Sequence, residues 1–299
     1  MEAELSIERR KEEDVLASKT VDTASVRAVC LALGPYRNLT TLTASILFLH
    51  PNCQVLNHAG ERIFNDNRLD FLNGYSALKF ENFLRYAIYI SQTGKRGAYG
   101  GSITFSHAFD GMHAMKNIFE SGGGQLLKED VRAVFWKESL VTSNHIRENN
   151  VNLADIFSQN ERLRFLLPVR NPMDCAFSNL KTGHVKYFRG LDEHSQVEQV
   201  LEAILDEFAW FENLRARFPG RFFTFFEHEF GRSTLQSLAN FLELPADESW
   251  VQNAIRAFEI KGHYEISSSL LSFYRHAVET KFPRHPEFKE KLLTFGLRQ

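Results

Sequence analysis

Residues 162–178 read Arg162-Leu163-Arg164-Phe165-Leu166-Leu167-Pro168-Val169-Arg170-Asn171-Pro172-Met173-Asp174-Cys175-Ala176-Phe177-Ser178. The apolar run that ends at Val169 has the length and composition of a buried strand. Arg170-Asn171-Pro172 breaks it as a turn, and Met173 to Leu180 resumes with helical spacing, Pro172 being placed to start the helix. A strand, a short loop and a helix in that order put backbone N–H groups and a positive helix end beside whatever the loop holds. In this unit Asp174 can cap or charge the first helical turn, and Ser178 faces back toward the strand end.

A second unit of the same kind lies upstream. Val26 to Leu33 is a short Val/Leu/Ala-rich run stopped at Gly34-Pro35, and from Thr40 the spacing of Leu42, Ser45, Ile46 and Leu49 is helical, closing at His50-Pro51. Between the two units come a helix over Ala77 to Ser91, a Gly-rich segment from Gly94 to Gly101 and a strand from Val131 to Trp136. Beyond them the pattern predicts an amphipathic helix over Val197 to Phe218, an aromatic strand over Phe222 to Phe226, and helices over Thr234 to Leu242 and Trp250 to Phe258. Strands alternating with helices predict an α/β fold whose central parallel sheet is flanked by helices. Residues 1–24 read as a polar N-terminal segment and 25–299 as a single domain, since no repeat, Pro- or Ser-rich linker or low-complexity tract divides them.

Composition removes several function classes. With 35 Lys plus Arg against 37 Asp plus Glu the formal charge is −2, which excludes a polybasic nucleic-acid coat and leaves room only for a local basic pocket. Cys30, Cys53 and Cys175 are odd in number and form no C-x-x-C pair, so neither a disulfide framework nor a structural zinc site is supported. A reducing compartment follows. No run approaches the roughly 18–20 apolar residues of a membrane span, and Met1 to Lys19 has no apolar signal core. The expectation is a cytoplasmic protein. The 27 phenylalanines are read as core.

The loop Gly34-Pro35-Tyr36-Arg37-Asn38-Leu39-Thr40-Thr41 lacks the second glycine and the lysine of a Walker A loop. It resembles the 5′-phosphosulfate loop of sulfotransferases, G-x-P-[RK]-S-G-T-T-L: Gly34, Arg37, Thr40, Thr41 and Leu42 match, while Asn38 and Leu39 stand in place of Ser and Gly. A glycine at position 39 would allow positive φ or close approach to an anion, and leucine makes either harder. Arg170 to Ser178 resembles the same family's 3′-phosphate element, R-[DN]-P-x-D-x-x-x-S. Two weaker likenesses follow in the family's order: the strand Val131 to Trp136 ending in Lys137-Glu138-Ser139, and Phe222 to Phe226 followed by Glu227-His228-Glu229-Phe230 and Phe241-Leu242-Glu243-Leu244.

The resemblance implies a P-loop-NTPase-like sulfotransferase fold and 3′-phosphoadenosine-5′-phosphosulfate (PAPS) as co-substrate, with no metal. It also implies transfer of the sulfuryl group to a hydroxyl-bearing acceptor that could be a carbohydrate, lipid, small molecule or peptide. The implied donor-binding residues are Gly34, Arg37, Asn38, Leu39, Thr40, Thr41, Arg170, Ser178 and Lys261. Arg37 and Lys137 fit the cations that stabilise charge on the sulfuryl and bridging oxygens, and Arg170 with Ser178 fits the 3′-phosphate. The segment His50 to Glu61 resembles the one that carries the catalytic carboxylate of tyrosyl-protein sulfotransferases, and His58, seventeen residues after Thr41, stands where that carboxylate falls. Histidine suits a general base near neutral pH. Glu61 is the runner-up, with Glu138 and His145 as outsiders, while His107 and His113 lie in the acceptor-shaping middle segment without an assigned role. Two other readings stay open: a nucleotide-binding relative that has lost catalysis, suggested by Leu39, and a small-molecule kinase, which would want an intact Gly-Lys-Ser/Thr loop and carboxylates for Mg²⁺.

Overall fold

The computed structural model describes residues 11–94, 100–110, 114–260 and 262–297. Its first half contains α1 (residues 11–18), β1 (Ala28–Ala32), α2 (Thr40–Phe48), β2 (Cys53–Asn57), α3 (Gly60–Phe64), α4 (Ala77–Ile90), β3 (Gly101–Ser102), α5 (Ala114–Ser121), β4 (Ala133–Lys137) and α6 (Leu140–Glu148). Its second half contains α7 (Leu153–Gln159), β5 (Leu163–Val169), α8 (Pro172–Lys181), α9 (Val197–Arg217), β6 (Phe222–Phe226), α10 (Arg232–Phe241), α11 (Glu248–Ala257), α12 (Ser268–Lys281) and α13 (Pro286–Leu293).

Among the described residues six strands form one sheet in the order β3-β2-β4-β1-β5-β6. All neighbours are parallel except β3, a two-residue edge antiparallel to β2 that adds a mixed border to the expected parallel sheet. Alternation along each strand sends side chains to two cores, as a sheet covered on both faces requires. Val29, Leu31 and Leu33 pack with residues of α4, α9, α12 and α13, whereas Ala28, Cys30 and Ala32 pack with α2, α10 and α11. The phenylalanines are largely core, Phe165, Phe208, Phe211 and Phe226 among them.

The chain runs from β1 outward to β2 and β3, returns to β4 and then crosses β1 to reach β5 and β6. This reversal gathers the carboxyl ends of β2, β4, β1 and β5, the place where open α/β sheets bind ligands. The polar N-terminal segment is tied down where it is described: Val15 is buried, and Lys11, Glu12 and Asp14 pair with Asp66, Arg68 and Arg62. Among the described residues no helix is long and apolar enough to cross a membrane.

Candidate active site

The loop after β1 holds backbone conformations that its sequence does not favour. Gly34 sits at φ +90°, and a Cβ there would come within 2.3 Å of Leu167 Cδ1. Arg37 and Leu39 both adopt left-handed φ, 61° and 62°, a region that L-residues enter at a cost of roughly 1–2 kcal/mol. Leu39 is also the N-cap of α2 and gives that helix no side-chain cap. The N–H groups of the first turn are therefore left to whatever occupies the cleft onto which Thr40, Thr41 and Leu42 face.

Asn38 does something other than line an anion site. It is fully buried, its Nδ2 donates to the Pro168 carbonyl, and its Oδ1 accepts the Arg170 N–H at 2.9 Å. It braces the first loop to the second. Gly34 N–H donates to Ser143 Oγ at 3.0 Å, and from α8 Asn179 Nδ2 donates to the Tyr36 carbonyl at 2.8 Å. These bonds overdetermine the loop and hold its left-handed residues in place.

The two predicted anion loops meet. Arg37 Nε donates to Ser178 Oγ at 3.0 Å, and Arg170 Nη1 reaches the Arg37 carbonyl at 3.5 Å. Burial lowers the Arg37 pKa, and the Arg170 guanidinium beside it lowers it further. The buried Arg170 guanidinium and the half-buried Arg37 guanidinium side by side concentrate positive potential that an anion relieves. Asn171, not Asp174, caps α8 by accepting the Met173 N–H at 3.0 Å. Asp174 is buried and instead accepts the Tyr264 N–H at 2.9 Å and lies 3.1 Å from His263 Nδ1, so it anchors the segment after α11. Arg170 Nη2 donates to the Gly262 carbonyl of that segment, and a stacked Phe230–Phe258 pair fixes its start. Lys261 and His113 lie outside the described residues.

The other end of the cleft is built from the ends of β2 and β4. Lys137 is buried, and its Nζ lies 3.2 Å from His58 Nε2. Burial pulls the Lys137 ammonium down to about 8, with Glu138 opposing that shift and Arg37 adding to it. The His58 backbone is clamped on both sides, its N–H on the Lys137 carbonyl at 3.1 Å and its carbonyl accepting Trp136 Nε1 at 2.7 Å. Behind the ring lies the buried Glu138 carboxylate, 3.7 Å from His58 Nδ1. Glu61 is exposed in the first turn of α3 and does not line the cleft. His145 is 3.0 Å from Asp70 and stacks on Phe64, away from the cleft.

Together these elements enclose a cleft of about 340 Å³ that Arg37, Thr40, Thr41, His58, Lys137 and Arg170 share. Several of its walls carried no prior assignment. Tyr36 packs its ring at 5.2 Å from both His184 and Tyr187, and burial followed by the nearby Glu138 carboxylate raises its hydroxyl pKa. Burial and then Arg37 and Lys137 lower the His184 pKa. Asn57, Ser106, His107 and Glu259 complete the lining. An aromatic residue inside a predicted anion loop was the available signal for Tyr36; His184 and Ser106 sit in segments with no motif. Among the described residues no cluster of His, Cys, Asp and Glu has the arrangement of a metal site.

No protein-family model matches the chain, and neither does any curated protein. Solved structures are similar to it over most of its length. Mouse SULT7A1, complexed with 3′-phosphoadenosine-5′-phosphate (PAP), is 11% identical over 97% of this chain and 95% of its own, with a TM-score of 0.45. STF9 from Mycobacterium avium is 13% identical over 95% and 81% of the two chains, TM-score 0.44. The protein from Alicyclobacillus acidocaldarius is 12% identical over 92% and 97%, TM-score 0.42. All three are sulfotransferases.

Proposed function

We propose that this chain transfers the sulfuryl group of PAPS to a hydroxyl acceptor. The observation that carries the reading is the Arg37–Ser178 hydrogen bond at 3.0 Å, which joins two anion-binding loops 141 residues apart at one end of a cleft whose other end holds Lys137 and His58. The donor set fits a nucleotide with two anionic ends. The uncapped α2 terminus with Thr40, Thr41 and Arg37 suits the phosphosulfate, and Arg170 with Ser178 suits the 3′-phosphate. Leu39 contributes its backbone here, and Gly34 and Asn38 hold the loop's shape.

In the reaction the acceptor oxygen attacks sulfur, the bond from sulfur to the bridging phosphate oxygen breaks, and PAP leaves. His58 Nε2 takes the acceptor proton, while Lys137 and Arg37 stabilise the charge that builds on the departing oxygen. The chain acts in this reading as one catalytic domain over residues 25–299, without a metal. Cys30, Cys53 and Cys175, all buried and free, suit a reducing cytoplasm.

The left-handed Leu39 favours one competing reading, a nucleotide-binding protein whose phosphosulfate loop has lost catalysis. Calorimetric titration with PAP followed by a turnover assay with PAPS tests both. Binding with turnover supports transfer, binding without turnover supports the second reading, and no binding overturns both.

A further inference from the structure

We propose that Glu138 is a positioning residue for His58, holding its ring so that Nδ1 carries the proton and Nε2 is the basic atom. The inference rests on the sulfuryl-transfer reading for its catalytic consequence, but its geometry stands apart from it. Lys137 has only donors to offer while protonated, and its Nζ lies 3.2 Å from His58 Nε2. That nitrogen must then be the acceptor, which puts the ring proton on Nδ1. Nδ1 faces Glu138 Oε1 at 3.7 Å, within ion-pair range and longer than a direct hydrogen bond.

The backbone is arranged around this contact at a cost. His58 and Ala59 both adopt left-handed φ, 59° and 78°, and the chain then folds back so that Gly60 N–H donates to Glu138 Oε2 at 2.9 Å. A Cβ on Gly60 would sit 2.9 Å from the Glu138 Cγ and Cδ, so the close approach requires glycine. Two consecutive strained residues and a side-chain-free third are what bring the imidazole against the carboxylate. Such strain persists where the surroundings fix it and collects at functional positions. Tyr36, in a side-chain hydrogen bond with Glu138, completes the carboxylate's setting from the loop after β1.

The other titratable groups that share the cleft with His58 are Lys137 from β4, Tyr36 and Arg37 from the loop after β1, Arg170 at the end of β5, His184 from the turn at His184–Tyr187, His107, and Glu259 from the segment after α11. Glu138 is the carboxylate that lies against Nδ1, at 3.7 Å. When Lys137 turns from Nε2 to the donor's oxygens, Nε2 is released to the acceptor with its tautomer already set.

The test uses Glu138→Gln and Glu138→Asp in the full chain. Ring ¹⁵N shifts report the His58 tautomer, and steady-state kinetics give kcat and KM. The expected result is a His58 ring shifted toward the Nε2–H tautomer when Glu138→Gln is read in a Lys137→Met background, where Lys137 no longer fixes Nε2 as the acceptor, and for Glu138→Gln alone a kcat lower by about 10²–10⁴ with PAP affinity within about twofold of wild type. Glu138→Asp recovers the tautomer and part of kcat. An unchanged tautomer when Glu138→Gln is combined with Lys137→Met, or a loss confined to donor affinity, overturns the proposal. If the wild-type chain neither binds PAP nor turns over PAPS, the tautomer arm still decides the Glu138–His58 relationship while the transfer reading falls. If Glu138→Gln fails to fold, Gly60→Ala, which crowds the same carboxylate, is read by the same ¹⁵N shifts in the Lys137→Met background, and an unchanged tautomer there is the overturning result.

Discussion

Arg37 and Ser178 are 141 residues apart in the chain and 3.0 Å apart in the fold. The contact exists because β1 and β5 are neighbours in the sheet and each sends its following loop over the same edge. Replacing Arg170 or Ser178 by alanine removes a hydrogen bond to a charged group, worth roughly 1.5–3 kcal/mol, or about ten- to a hundredfold in affinity. Calorimetry with PAP is expected to show that loss in both variants with Tm little changed. Unchanged affinity in both would leave the Arg170 segment a structural turn.

Leu39 gives a cleaner stability test than most loop residues, because its φ of 62° is disfavoured while its neighbours are firmly braced. Leu39→Gly relieves roughly 1–2 kcal/mol of left-handed strain and gives back roughly 0.5–1 kcal/mol through the freer unfolded chain. The expected outcome is stability equal to or slightly above wild type and tighter PAP binding. Leu39→Val, β-branched at the same φ, is expected to lower Tm. Denaturant melts and PAP titration of both variants measure it, and a Leu39→Gly protein that melts well below wild type refutes the strain account.

Much of this site could be read from the chain because its loops are local. A strand end, a turn and a helix start are contiguous in sequence, so Arg37, Thr40, Thr41 and Arg170 carried their own signal, as did the strand Phe222–Phe226, which the structure matches residue for residue. β2, the edge strand β3 and helices α12 and α13 gave weaker signals. Cys53 to Asn57 is a strand because β4 lies beside it, and Gly101–Ser102 pairs for two residues only. Asn38 and Asp174 show the limit for side chains. Both sit where a loop residue is expected to face an anion or cap a helix, and both turn inward to distant backbone at Pro168, Arg170 and Tyr264. Glu61 and Glu138 differ in the same way, since the sequence reading ranked the first as runner-up and the second as an outsider, while the fold leaves the first exposed and buries the second behind His58.

His58→Ala removes the proposed base and is expected to lower kcat by about 10²–10⁴, the usual share of general-base catalysis, with PAP affinity near wild type. Glu61→Gln, altering an exposed side chain outside the cleft, is the comparison. Steady-state kinetics with PAPS checks both. Full turnover in His58→Ala sinks the assignment, and a dead Glu61→Gln would move the base to a side chain that the fold leaves in solvent.

Lys137 ties activity to pH and sets it against stability. Burial is the main reason its ammonium titrates near 8, below the 10.5 of a solvated lysine. The cation role needs the protonated form, so kcat/KM of the free enzyme is expected to fall as pH rises through about 8. Bound phosphates favour the ammonium, so the alkaline limb of kcat lies at higher pH than that of kcat/KM. Lys137→Arg, charged at every accessible pH, is expected to lose this limb even if its rate drops. The stability sign is opposite. Between pH 8 and 10.5 the unfolded chain binds more protons than the folded one at this position, so stability rises with pH across that window and the buried ammonium is a cost below it. Lys137→Met removes that cost and is expected to raise Tm by a few degrees at pH 7 while lowering kcat by about 10²–10³. Thermal melts at pH 7 and pH 10 with pH–rate profiles measure both halves. A Lys137→Met protein that melts lower than wild type at pH 7, or a wild-type kcat/KM that is flat through pH 9, would contradict a buried ammonium at this position.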